Sequence, residues 1–137
     1  MKSLSVFLLY VFATVGVAQA AGSGAGTGAP DCAVIQSSPQ LDACVHKHWV
    51  AAEAELAAGF GAYRQRIKTL YAADAELGKK LLDKVQQAHS AWLTFRDANC
   101  RVEAFEIEEG TPAYVTTLEN CLIRMNAERF DVLKKLP

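Results

Sequence analysis

The sequence predicts an all-α fold, an elongated antiparallel three-helix bundle with an N-terminal arm, stapled by two disulfides. Three observations lead there. Apolar residues recur at three- and four-residue steps from about Pro39 onward, and nothing alternates convincingly with period two. Four cysteines, Cys32, Cys44, Cys100 and Cys121, follow an N-terminal export signal. An even count in a small exported chain reads as a disulfide framework.

The export signal occupies residues 1–20. Lys2 supplies a positive start, Leu4 to Val17 is largely apolar, and Ala18-Gln19-Ala20 is a small-residue cleavage site. The apolar run is about 14 residues, short of the roughly 20 that a bilayer span needs. No cysteine follows the cleavage site, so lipid attachment is not expected. A soluble mature chain is expected to start near Ala21, with no membrane insertion once the signal is removed. Residues 21–30, AGSGAGTGAP, carry four glycines and no charge and read as a flexible Gly/Ala linker. Residues 31–137 are then one helical domain.

Charge excludes some partners. The full chain has 14 basic and 15 acidic residues, and loss of Lys2 moves the formal charge from −1 to −2. A nucleic-acid binder would show a basic stripe, and a membrane-surface protein a polybasic run; neither is present.

The first helical segment carries Leu41, Val45, Trp49, Ala52, Leu56, Phe60, Tyr63, Ile67 and Leu70 on one face. Gly59 and Gly61 interrupt it at a cost of about 1 kcal/mol each against Ala, which points to a kink or a close helix crossing. The second segment starts near Ala73 and steps through Leu77, Leu81, Val85, Ala88, Trp92 and Phe95, continuing to Val102 and Phe105. Gly110 is expected to stop it. Thr111 suits the N-cap of the third helix and Pro112 its first turn. The third segment carries Val115, Leu118, Leu122, Met125, Val132 and Leu136. Helices of about 30 residues would each run roughly 45 Å, hence the elongated shape.

Four cysteines allow three pairings. Cys100 lies ten residues before Gly110 and Cys121 eleven after it, so an antiparallel hairpin turning there sets them at nearly one height. Geometry therefore favours Cys100–Cys121, leaving Cys32–Cys44 to fold the arm onto the first helix. Loop closure assigns these bridges about 3.4 and about 2.9 kcal/mol. A metal site is disfavoured: there is no CxxC pair, and His46 and His48, two apart, point to different helix faces.

The stretches AHSAWLTFRDANC and NCLIRMNAERFDVL resemble the LprI-type lysozyme-inhibitor domain, a group of small exported bacterial proteins. Ala91, Trp92, Phe95, Arg96, Asp97 and Cys100 match the family's Ala-Trp, Phe-Arg-Asp and Cys block. Gly110, Cys121, Arg129 and Leu133 fit the turn, the further Cys, and the Arg with a Leu four residues on. Upstream, Cys32 and Cys44 fit a Cys pair, and AEAELAAGF fits the Ala-Asp, Leu-Asn, Tyr pattern loosely, with Glu53, Ala57 and Phe60 in the Asp, Asn and Tyr places. The resemblance covers about residues 31–136. It implies an all-helical, disulfide-bonded domain and a protein partner, lysozyme. Some members are lipoproteins, and this chain lacks their lipid-attachment Cys.

The residues themselves suggest where function could sit. Trp92 and Phe95 read as core anchors. Arg96 could reach a carbonyl or carboxylate on a neighbouring helix, and Asp97 and Arg101, four apart, could pair on one face. Glu103, Glu106, Glu108 and Glu109 crowd the end of the second helix, where the helix dipole disfavours acids. The start of the third helix could offset that cost. Alternatively, the run is an acidic tip aimed at a cationic protein such as an animal-type lysozyme. Carboxylates facing a catalytic carboxylate pair would repel, so occlusion would fall to shape and to Arg101, Tyr114 and Thr116. No enzymatic constellation, phosphate loop or cofactor motif is expected. The expectation is a periplasmic or secreted binding protein that inhibits lysozyme by occluding its cleft. The alternative is a non-inhibitory cell-envelope module that docks onto another exported protein or a wall component. Oligomeric state stays open.

Overall fold

The computed structural model describes residues 31–137; the expected signal and linker lie outside the described residues. The domain is three helices, as expected: α1 (Ser38–Leu70), α2 (Ala75–Glu103) and α3 (Pro112–Lys135). At 1.5 Å per residue they run about 50, 44 and 36 Å. No described residue is in a strand. α3 packs mainly along α1, and α2 makes smaller interfaces with both.

Local chemistry sets the ends. Ser37 caps α1, with Pro39 in its first turn. The arm before it is tied down by Gln40, whose Nε2 donates to the Asp31 and Val34 carbonyls at 2.6 and 2.9 Å. The Cys32–Cys44 bridge fastens the same arm to α1. Asp74 accepts from Leu77 N at 3.0 Å and starts α2. Thr111 does the same for Tyr114 N at 3.2 Å and starts α3.

The end of α2 differs from expectation. The helix stops at Glu103 instead of running on to Gly110. The chain then makes successive tight turns, Phe105 N to Val102 O at 3.2 Å and Ile107 N to Ala104 O at 3.0 Å. Glu106, Glu108 and Glu109 thus lie in the connection and are exposed to solvent, which screens their charge. Gly110 closes the connection 104–111 instead of the helix, and its φ of 81° is a conformation suited to glycine. The bridge Cys100–Cys121 forms as the hairpin geometry favoured, with Cα atoms 5.5 Å apart. The two cysteines meet because this turned connection doubles back, since Cys100 sits three residues from the end of α2 and Cys121 nine residues into α3.

Two apolar clusters fill the bundle. Leu56, Phe60, Tyr63, Ile67 and Leu133 form one, and Cys100, Cys121, Leu122 and Met125 the other. Half-buried Trp92 packs against both. Phe95 is not an anchor: it is 59% exposed, and Val102 and Phe105 are 73% and 84% exposed. The inward turn after Trp92 is occupied by Arg96, four residues on, leaving Phe95 on the flank. Leu41, Val115 and Val132 are likewise largely outside the core.

Of the two glycines in α1, Gly59 marks a close crossing. A Cβ there would lie 2.7 Å from Phe130 Cε2 on α3, whereas one on Gly61 would meet open space.

Candidate functional site

Arg96 is 7% exposed although it is a cation on a helix. Burial of that kind demands partners, and all three helices supply them. Its Nη1 donates to Glu53 Oε1 on α1 at 2.8 Å and to Asn126 Oδ1 on α3 at 2.6 Å. Its Nε donates to Asp97 Oδ1 at 2.9 Å. Glu53 Oε1 is the common acceptor, also taking Trp49 Nε1 at 3.2 Å and Asn126 Nδ2 at 3.1 Å. Asp97 therefore pairs with its neighbour Arg96; the expected pair with Arg101 does not form.

Trp92 sits beneath two cations. The Arg96 and Arg129 guanidinium carbons lie 5.7 and 5.5 Å from its ring. Next to Trp92, with ring centroids 6.2 Å apart, His89 stacks on Phe60 at 3.8 Å. His89 is buried, and its Nδ1 and the Arg129 Nε have no hydrogen-bond partner among the described residues. Burial first, and then the charges of Arg129 and Arg96, hold the His89 pKa below its ordinary value. Trp92, Arg96, Asp97 and Arg129 are thus brought into one polar hub, and Phe95 is left outside it.

A cleft of about 200 Å³ opens beside the hub, lined by Trp49, Glu53, Arg96, Asp97, Arg101 and Leu118 among others. Arg101 contributes to this wall rather than to an ion pair.

The acidic run divides. Glu103 is bound by Arg124 of α3 at 2.7 Å, and this contact raises the Arg124 pKa. Glu106, Glu108 and Glu109 are exposed on the connection 104–111 and make no ion pair among the described residues. Phe105 stands beside them. Tyr114 is half-buried in the first turn of α3. The start of α1 lies at this end: His46 Nδ1 meets Glu119 at 2.7 Å and Thr116 donates to Asp42 at 2.7 Å. His48, on another face, lines a groove with Phe130.

Glu53, Asn126 and Trp49 were not singled out by sequence as hub members. Only the loose placement of Glu53 at an acidic family position pointed to one of them.

The fold and hub define a small helical domain held by two disulfides and one buried cation. Residues 31–133 match the family described as lysozyme inhibitor LprI, and the chain belongs to that family. It is 31% identical over 115 residues to an uncharacterised protein of Rhizobium meliloti (strain 1021), covering 78% of each chain. It is also similar to the crystal structure of a DUF1311 family protein of Pseudomonas putida KT2440, with a TM-score of 0.65 and 27% identity. That likeness covers 71% of this chain and 90% of the other.

Proposed function

We propose that this chain is an exported binding protein that inhibits lysozyme by occluding its cleft. Family membership supports the class of partner. The structural observation that carries the reading is the connection 104–111. It presents three carboxylates with no ion-pair partner among the described residues, beside an aromatic ring that is 84% exposed. The Cys100–Cys121 bridge fastens the helices on either side of it, so the ordering cost of binding is small.

In this reading Glu106, Glu108 and Glu109 meet the basic rim of an animal-type lysozyme and speed encounter. Glu103 is held by Arg124 and stays out of this field. Uncharged and cationic groups (Phe105, Tyr114, Thr116 and Arg101) take the positions nearer the catalytic carboxylates, where a further acid would be repelled. The disulfides favour an exported protein, periplasmic or secreted. No described helix is long and apolar enough to cross a membrane.

A cell-lysis assay with purified mature protein tests this. Lysis should slow in proportion to added protein, and the triple substitution of Glu106, Glu108 and Glu109 by Gln should reduce the association rate and its salt dependence. No slowing at large molar excess, against several lysozyme types, removes the reading. The second reading, a non-inhibitory envelope module, is favoured by the apolar stripe that α2 leaves outside the bundle.

A further inference from the structure

The exposed stripe on α2 has a strict register. Ala88, Ala91, Phe95, Ala98 and Val102 follow one another at steps of three and four along α2, Phe105 takes the next such place in the sequence, and every one is exposed. That is the 3.5-residue period of a coiled-coil seam, not the wider face that α2 turns into its own bundle. Phe105 lies just past the helix end, held by the turn from its N–H to Val102 O.

The sizes along this seam are complementary to themselves in reverse. Run a second copy antiparallel, centred between Phe95 and Ala98, and each large residue faces a small one. Phe95 meets the partner's Ala98, Val102 meets the partner's Ala91, and Phe105 meets the partner's Ala88. A two-fold axis repeats every contact, which is what an isologous interface requires. A parallel pairing would set Phe95 on Phe95 and leave the alanine layers hollow.

Charge selects the same direction. Lys84 continues the seam toward the start of α2 and has no ion-pair partner among the described residues; Lys80 beside it holds only an exposed intrahelical pair with Glu76. The connection past the other end carries Glu106, Glu108 and Glu109. The antiparallel arrangement lays each lysine end along the partner's acidic connection, while a parallel one stacks like charges.

The area is sufficient for a reversible pair. With an aromatic side chain offering on the order of 200 Å², Phe95 and Phe105 alone expose about 300 Å² per copy. Val102 and the alanines bring the two-copy total, at full burial, to about 1,000 Å², the size of a weak, reversible interface.

We infer that a second copy of this chain covers the stripe, forming an antiparallel homodimer through α2. The dimer covers Phe105 and the acidic connection, so it withholds from lysozyme the surface proposed above; the inference does not rest on that reading, and its first test is the oligomeric state alone. Sedimentation of the mature, disulfide-intact protein should show a monomer–dimer equilibrium between micromolar and near-millimolar concentration. Phe95→Glu should weaken the dimer by at least roughly tenfold with unchanged helical circular dichroism, because Phe95 is outside the core. Lys84→Glu should weaken it, and combining Lys84→Glu with Glu109→Lys should restore it. In the unsubstituted protein, carbodiimide should join Lys84 or Lys80 of one protomer to the acidic connection of its partner. A monomer at every concentration overturns the inference, as does a dimer indifferent to Phe95→Glu. A protein that stays monomeric while Phe95→Glu abolishes capture of lysozyme assigns the stripe to that partner and also overturns it.

Discussion

Glu53 and Arg96 meet at 2.8 Å across the α1–α2 interface, and the same Glu53 oxygen also accepts from Trp49 and Asn126. One carboxylate oxygen therefore joins residues of all three helices around a cation buried in the bundle. Glu53 is itself about a third exposed, which softens its desolvation cost and that of its loss. Glu53→Ala should destabilise the fold by about 2 kcal/mol, since Arg96 keeps Asp97 but loses its interhelical charge partner. Urea unfolding followed at 222 nm measures this. A double-mutant cycle with Asn126→Ala should show strong non-additivity, because both contacts end on one atom.

Gly59 and Gly61 should respond oppositely to alanine. At Gly61 the new methyl enters open space and removes a helix penalty, stabilising by up to about 1 kcal/mol. At Gly59 it strikes the Phe130 ring, and overpacking of this kind costs about 1–3 kcal/mol before the propensity gain is counted. Thermal melts of the two variants should fall on either side of the parent.

The bridges should differ in access more than in energy. Cys100 is fully buried, while Cys32 lies half-buried on the arm. Limiting reductant should therefore open Cys32–Cys44 first, as read by alkylation and mass mapping. Replacing Cys100 and Cys121 together by Ala should cost about 3 kcal/mol from loop entropy alone.

Acid should weaken the fold through His89. Its ring is held neutral below the ordinary value of 6.5, first by burial, then by Arg129 and Arg96. As pH falls through 6.5 the unfolded ring takes up a proton that the folded one refuses, so stability declines until the folded ring also protonates. The contribution is fully present above 6.5. His89→Phe, which keeps a ring against Phe60, should flatten the dependence of melting temperature on pH over that range.

Much of the fold was legible because its signals are local. Thr111 before Pro112 announces the start of α3, and the three- and four-residue apolar steps announce the helices. The cysteine pairing was legible through the hairpin, although the hairpin turns differently. Two things were not legible, and both involve polar residues. Glu53, Arg96 and Asn126 look like solvated helix positions until three helices converge on them; the four-residue steps Trp49–Glu53 and Trp92–Arg96 were the available hint. The end of α2 carries no glycine or proline at Glu103, so periodicity ran on through Val102 and Phe105. The crowding of acids against the helix dipole was the contrary signal.

The arm at Cys32 and the connection 104–111 occupy the same end of the rods, joined there by Asp42–Thr116 and His46–Glu119. The final residues lie at the far end, where Arg66 donates to the carbonyls of Leu133 and Leu136. Purification handles and surface-coupling chemistry consequently have unequal effects. An immobilised front end would leave the acidic loop on the bead side of the domain, whereas attachment behind Pro137 would turn that loop toward the bulk.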